Sequence, residues 1–261
     1  MATAEDVGHL RATLDSLLVR SEQVSSMIRA YGGAHRCFER FLLARANDVE
    51  AAAEMFRVTF TWRAKHGLDD GSFALDDEVR RKIRPLWPGA LVAGTTGWQA
   101  SPMMLFRLGN VDPTAMLDSC TEEEFQAYYI DMMEVSLRLQ NASNSAAVDV
   151  SEATWYGMVE VYDCSGLSLS QLHPAGLAML SRVLSIGQQH YPENLRKAYF
   201  VNAPFFFSGG FAMVSGALAA NTVAKISIRS DDGGDELLET VGGAERLATL
   251  VASVPPSPLS S

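Results

Sequence analysis

YPENLRKAYFVNAPFFFSGGFAMVSGALAANTVAKISIR, residues 191–229, is the stretch whose reading decides the fold. It opens with Glu193, Arg196 and Lys197, then carries no charged side chain from Ala198 until Lys225. About 18 or more apolar residues in a row raise the question of a membrane span. The residue types argue against one: Asn202-Ala203-Pro204 breaks the run early, Gly209-Gly210 breaks it again, and Asn221-Thr222 are polar. The pattern predicts a strand over 198–201, an apolar loop over 204–210, a mobile helix over 211–220 and a strand over 225–228. A chain that sets Phe205, Phe206, Phe207, Phe211 and Met213 on a glycine-hinged segment either buries them or uses them on lipid.

Upstream, residues 5–31 place Leu10, Leu14, Leu17, Leu18, Val24, Met27 and Ile28 at helical steps, and Gly32-Gly33 stops the run. Residues 35–46 read as a second helix with Phe38, Phe41 and Leu42 on one stripe. Arg45 falls on that stripe, while Arg36, Glu39 and Arg40 lie off it. Either the Arg45 stem lies along the core with its head in water, or the guanidinium is part-buried and waits for a carboxylate or phosphate. Asn47-Asp48 caps a third helix with Val49, Ala52, Ala53, Phe56 and Phe60 on its apolar face. Arg63 and Lys65 near its end suit the helix dipole, and Gly67 ends it.

Residues 79–86 read as a short helix, Thr95-Thr96-Gly97-Trp98 as a turn, and PMMLFRL, 102–108, as a strand. Thr121 with Glu124 forms a capping box for a long helix over 122–140, followed by a loop over 141–145. WYGMVEVY, 155–162, reads as a central strand. Its alternation puts Trp155, Gly157, Val159 and Val161 on one face, and Tyr156, Met158, Glu160 and Tyr162 on the other. Residues 167–190 are helical until Tyr191-Pro192. Short helices over 235–240 and 244–251 precede a VPPSPLSS tail of disordered composition. Strands alternating with helices after a helical lead-in indicate an α/β core with a separate helical N-terminal piece.

The 261 residues suffice for one large domain or two small ones. A net charge of -10 disfavours nucleic acid, and no Lys/Arg cluster suggests electrostatic adhesion to anionic membranes. Cys37, Cys120 and Cys164 form no metal or disulfide pattern, which points to a reducing compartment. MATAEDVGHL carries acids early and lacks an apolar signal core, so a cytoplasmic location is expected. The chain contains no G-x-S-x-G elbow, P-loop, Rossmann fingerprint or H-E-x-x-H. A Ser/His/Asp set assembled in space is the hydrolase route that stays open.

CFERFLLARANDVEAAAEMFRVTFTWRAKHG (37–67), VEVYDCSGLSLSQL (159–172) and the opening stretch, in this order, resemble the CRAL-TRIO lipid-binding family. The best-known members of that family are the fungal phosphatidylinositol transfer proteins. The resemblance covers 21–250. It implies a mixed sheet flooring an apolar pocket, a gate helix after Asn-Ala-Pro, and one lipid held with its acyl chains inside. It places the phosphoinositide head-group set at Arg45, Glu193, Thr222 and Lys225. Lys225 and Arg45 would neutralise a phosphate, Thr222 would donate to it, and Glu193 would accept from an inositol hydroxyl or orient Lys225. Pocket and gate positions are Tyr156, Met158, Glu160, Tyr162, Phe205, Phe206, Phe207, Phe211 and Met213. Where choline-lipid transfer members carry small hydroxyl residues on the central strand, this chain has Met158 and Glu160. For Glu160 two readings stand: a cross-strand ion pair with Arg107, or contact with a cationic or hydroxylated head group. Residues 247–254 also depart from the family by lacking its closing glycine motif.

The expected fold is therefore α/β: a helical N-terminal subdomain (1–70), a lipid-binding mixed-sheet domain (71–250) and a tail (251–261). The resemblance implies a non-enzymatic phosphatidylinositol-binding transfer or presentation protein with no cofactor beyond bound lipid. Its expected partners are phosphatidylinositol, a second lipid, a transient membrane surface and a lipid kinase. The alternatives are a carrier of a tocopherol-, retinoid- or sterol-like hydrophobe, and a lipid ester hydrolase.

Overall fold

A computed structural model describes residues 2–18, 22–92, 101–145 and 157–254, and its first five elements are helices. These are α1 (Ala4–Thr13), α2 (Asp15–Leu18), α3 (Glu22–Ala30), α4 (Ala34–Leu43) and α5 (Val49–Lys65). The single helix expected over 5–31 is thus three shorter ones. Tyr156, the turn at 95–98 and the tail beyond 254 lie outside the described residues. The chain divides into two units: Met1–Ala74 with Ile186–Asn194, and Leu75–Ser185 with Leu195–Ser261. A boundary at residue 70 takes no account of Ile186–Asn194, which joins the helical unit.

In the helical unit the Phe56 ring lies 5.9 Å from that of Phe38 and 5.1 Å from that of Phe41. Asp48 caps α5 by accepting from the Ala51 amide at 3.0 Å. Two arginines are buried: Arg40, which lies off the apolar stripe of its helix, and Arg63, read as suiting the helix dipole. Arg40 is 1% exposed and donates to the Pro192 carbonyl at 3.4 Å. Arg63 is buried and forms a two-pronged pair with Asp69, Nε to Oδ2 and Nη2 to Oδ1, both at 2.9 Å. Its guanidinium also lies 5.2 Å from the centre of the Tyr31 ring. The Tyr31 hydroxyl donates to the His190 carbonyl, and Trp62 stacks on the His190 ring at 4.1 Å. Burial, aided by the charges of His66 and Arg63, holds the His190 imidazole down to about 4. These contacts are what put Ile186–Asn194 in this unit.

The second unit holds α6 (Asp77–Ile83), β1 (Gly89–Val92), β2 (Met103–Arg107), α7 (Pro113–Ser119), α8 (Glu122–Ser145) and β3 (Met158–Asp163). It continues with α9 (Pro174–His190, counted with the helical unit from Ile186), β4 (Leu195–Val201), α10 (Phe207–Ser215), α11 (Ala220–Val223), β5 (Ile226–Ile228), α12 (Gly234–Val241) and α13 (Ala244–Ser253). The strands form one sheet in the order β1-β2-β3-β4-β5, antiparallel between β1 and β2 and parallel elsewhere. Thr121 and Glu124 form the expected capping box, amide to hydroxyl at 3.2 Å and amide to carboxylate at 2.8 Å. The helix they start runs on through the residues read as a loop, to Ser145.

Two other departures have steric causes. β1 escapes sequence reading because it begins at Gly89, a weak strand former. A Cβ at Gly89 would meet the Phe106 ring at 2.5 Å, so the strand needs that glycine. The loop expected over 204–210 is shorter, and α10 starts at Phe207 with Gly209 and Gly210 inside it. At Gly210 a Cβ would meet Leu172 Cδ2 at 2.5 Å, so the glycine makes room for close packing instead of breaking the helix.

The sheet has two different faces. Met103, Leu105, Val159, Val161, Tyr199 and Val201 pack against Leu237 and Val241 of α12, Leu250 of α13 and Val254 just past its end. The C-terminal segment that lacks the glycine motif is thus part of this core, and the expected tail begins inside α13. The other face carries Met104, Phe106, Met158, Glu160 and Tyr162, as the alternation in WYGMVEVY requires.

Asp69→Ala leaves the Arg63 charge buried without its carboxylate and is expected to cost about 3–5 kcal/mol. Urea denaturation of the full chain reads this as a lower midpoint. A loss below about 1 kcal/mol would mean that the pair is worth no more than one on the surface.

Candidate functional site

The parallel register sets Met104, Glu160 and Ala198 side by side across β2, β3 and β4, and Phe106, Tyr162 and Phe200 in the next such row. The aromatic row stacks: Phe106 to Tyr162 at 5.6 Å and Tyr162 to Phe200 at 4.5 Å, each pair within 7° of parallel. α10 extends it, with Phe207 and Phe211 at 5.0 and 5.8 Å from Phe200. Beside this row, Tyr129 of α8, Glu160 and Tyr162 are enclosed by protein yet keep part of their surface accessible. Met132, Phe200 and Phe211 are likewise only part-buried.

Glu160 is the polar centre of this face. Its Oε2 accepts from the Tyr162 hydroxyl at 2.7 Å. Burial pushes the carboxyl up to about 7, with that hydrogen bond pulling the other way. Burial and the Glu160 charge also raise the Tyr129 and Tyr162 hydroxyls. The ion pair with Arg107, one of the two expected readings of Glu160, is not formed. The register sets Arg107 opposite Asp163, with Nη1 to Oδ2 at 3.8 Å. Alternation also puts both of them on the sheet face away from Glu160. Burial raises the Asp163 carboxyl, but hydrogen bonds from Ser165 and Asn202 and the Arg107 charge outweigh it and hold the group below its ordinary range.

The remaining expected residues fall as follows. Thr222 and Lys225 belong to the α/β unit and share one turn, the Lys225 amide donating to the Thr222 carbonyl at 3.0 Å. Lys225 Nζ donates to the Leu195 carbonyl at 3.0 Å. Arg45 and Glu193 belong to the helical unit. Arg45 is part-buried in the turn after α4, its Nη1 donating to the Ala44 carbonyl at 3.0 Å. Glu193 takes the left-handed backbone conformation, φ 53°. Met158 is fully buried against Met104 and Phe106, in the packed part of this face. Phe207 is buried and Phe206 and Phe211 are part-buried, whereas Phe205 is 96% and Met213 60% exposed. Spacing alone did not single out Tyr129 or Phe200. Aromatic residues at matching positions of the three parallel strands, Phe106, Tyr162 and Phe200, were the available signal.

A family model described as the CRAL/TRIO domain matches residues 88–247. The chain belongs to the CRAL/TRIO family. Among its relatives, the Sec14 cytosolic factor of Schizosaccharomyces pombe is 26% identical over 90% of this chain and 80% of its own length. The SEC14 cytosolic factor of Eremothecium gossypii is 30% identical over 77% of this chain and 64% of its own. The phosphatidylinositol/phosphatidylcholine transfer protein SFH7 of Arabidopsis thaliana is 26% identical over 79% of this chain, which spans 37% of that longer protein. The crystal structure of Sfh5 shares the fold, with a TM-score of 0.62 at 18% identity, covering 90% of this chain and 77% of that one. In this CRAL/TRIO chain no helix among the described residues is long and apolar enough to cross a membrane. Also among the described residues, no group of His, Cys, Asp and Glu side chains is placed to hold a metal ion.

The Glu160 carboxyl gives the α/β unit a pH dependence of definite sign. Among the described residues, the titratable groups that face it are Tyr162 on its own strand and Tyr129 from α8; its neighbours on the flanking strands, Met104 and Ala198, carry none. The folded carboxyl keeps its proton to about 7, against 4.5 for the ordinary group, so folding takes up a proton between those values. Stability from this group therefore falls as pH rises across that window, by on the order of 3 kcal/mol. Glu160→Gln keeps the acceptor for Tyr162 and is expected to remove this fall, exceeding the parent in stability at pH 8 and matching it near pH 4. Identical pH profiles of the urea midpoint would show that the carboxyl is hydrated.

Proposed function

We propose that this CRAL/TRIO chain is a non-enzymatic lipid-transfer protein that holds one phosphatidylinositol-class lipid behind α10 and exchanges it at membrane surfaces. The observation that carries this reading is the sheet face: an aromatic row that continues onto α10 beside side chains that are enclosed yet accessible. A pocket between that face and α10 would suit acyl chains, each buried CH₂ contributing about 0.8 kcal/mol. A bilayer offers those chains nearly the same environment, so net affinity is modest and exchange depends on α10 moving aside. The name of the Arabidopsis relative SFH7, which describes phosphatidylinositol/phosphatidylcholine transfer, supports the same class of activity.

In this reading Arg45 and Lys225 supply positive charge for the lipid phosphate, Thr222 donates a hydroxyl hydrogen bond, and Glu193 accepts from an inositol hydroxyl. The joint placement of Thr222 and Lys225 on one turn supports it. So does the left-handed backbone of Glu193, a conformation that costs a non-glycine residue about 1 kcal/mol or more and collects at binding sites. The exposed Phe205 and Met213 are suited to dip into a bilayer, and with a net charge of -10 docking proceeds through apolar side chains, not a basic patch. The association is transient and cytoplasmic, no cofactor is needed, and a lipid kinase that consumes the presented lipid is the protein partner this implies.

Lys225→Glu and Arg45→Glu are each expected to lower phosphatidylinositol capture from vesicles by about tenfold or more, with little change in Tm. Mass spectrometry of the re-isolated protein reads the outcome, and parent-like capture by both variants would remove the head-group assignment. Phe205→Ala should slow vesicle-to-vesicle transfer several-fold, more than it lowers captured lipid. An unaltered transfer rate takes Phe205 off the docking surface.

A further inference from the structure

One residue of β4 is out of step with the strand beside it. Met158 pairs with Leu195 and Val159 with Lys197, so Arg196 is an extra residue, a bulge in the ladder between β3 and β4. Strict alternation with Ala198 and Phe200 would put Arg196 on the Glu160 face. A bulge re-aims its side chain, and here the guanidinium turns to the face covered by α12 and α13. There Arg196 Nη1 donates to the Ser101 hydroxyl at 2.9 Å. A second guanidinium reaches the same serine from α13: Arg246 Nη2 donates to the Ser101 carbonyl at 2.9 Å, and its Nη1 to the Val241 carbonyl at 3.2 Å. Ser101 is buried and both arginines are part-buried. We propose that Arg196, Arg246 and Ser101 form a binding site for a phosphoryl group, on the side of the sheet away from Glu160.

Two like charges drawn to one buried serine repel each other, and neutral oxygens offset that only in part. Burial pushes both guanidinium groups below their ordinary range; for Arg196 the Arg246 charge adds to this and the Tyr199 hydroxyl opposes it. Among the described residues Arg246 meets only carbonyl oxygens. Glu236, the carboxylate that accepts from Tyr199 on this face, is engaged by Lys197 at 3.4 Å and Arg229 at 3.6 Å. An anion held between Arg196 and Arg246 would neutralise the pair, and the donors select its class. Each guanidinium is a planar fork that grips two oxygens side by side, and a carboxylate, with one such edge, satisfies one fork. A tetrahedral phosphoryl group offers an edge to each and carries about two negative charges at neutral pH, which matches the pair. Ser101 Oγ accepts from Arg196, which leaves the serine hydrogen to donate to a further oxygen. The site shares no residue with Arg45, Glu193, Thr222 and Lys225, and the inference does not rest on the lipid-carrier reading.

The test is calorimetric titration of the full chain with inorganic phosphate, the ionic strength held constant with chloride. The parent is expected to bind phosphate saturably, and Arg196→Gln and Arg246→Gln are each expected to weaken that binding about tenfold or more. Thermal unfolding gives a second reading: phosphate should raise the Tm of the parent and leave that of either glutamine variant in place, and the same scans show that both variants fold. Absence of saturable binding by the parent overturns the proposal without reference to any variant. Parent-like binding in either glutamine variant overturns it too, as does a loss confined to Lys225→Glu, which would move the anion to the lipid head-group set. Phosphatidylcholine vesicles with and without phosphatidic acid then separate the two sources of a phosphoryl group. Sedimentation that needs both phosphatidic acid and Arg246 supports the site with a lipid phosphomonoester as its ligand. Phosphate binding without such sedimentation supports it with a soluble one.

Discussion

Stacking of Tyr162 between Phe106 and Phe200 is the contact on which the arrangement of the α/β unit depends. Three rings from three parallel strands lie in one row only when the register is right, because a slip of one residue sends every side chain to the opposite face. Each ring pair adds about 0.5–1.5 kcal/mol beyond the area it buries, so the row helps to select the register as well as to fill space. The same register brings Glu160 and the Tyr162 hydroxyl to hydrogen-bonding distance on one face and leaves Arg107 to Asp163 on the other. It also presents the Phe200 ring to Phe207 and Phe211, which seats α10. An apolar face with one polar centre follows from a pairing choice made in the strands.

Much of this was legible because it is periodic. The alternation in WYGMVEVY gave the two faces of β3 correctly, and Thr121 with Glu124 marked the start of α8. Spacing failed where a distant partner decides the outcome. Arg40 lies off the apolar stripe of its helix and Arg63 reads as a cation for the helix dipole, but one meets a carbonyl at Pro192 and the other a carboxylate beyond the end of its helix. Gly210 reads as a breaker until Leu172 is known to press against it, and Gly89 conceals a strand until the Phe106 ring is placed. The arginine, glutamate, threonine and lysine of the head-group set came from family resemblance, not from any pattern in the chain. Four residues from widely separated segments leave no periodic trace.

The way α10 is attached bears on how a carrier of this kind would open. Its lead-in is pinned by polar contacts. Asn202 sits at φ 53°, its side chain donating to Asp163 at 3.0 Å, and its amide donates to the Asp231 carbonyl at 2.7 Å. The Ala203 amide adds a bond to the Arg229 carbonyl at 2.9 Å. Beyond this point Phe207 and Phe211 hold the helix to the sheet through ring contacts that are apolar and tolerant of direction. Directional bonds fix a position and are costly to leave unmade, whereas apolar contacts exchange for other apolar contacts at small net cost. Acyl chains are such a substitute. In the proposed carrier, an element with polar pins at its entry and ring contacts to the sheet would swing about a fixed point, its inner face passing from aromatic rings to lipid.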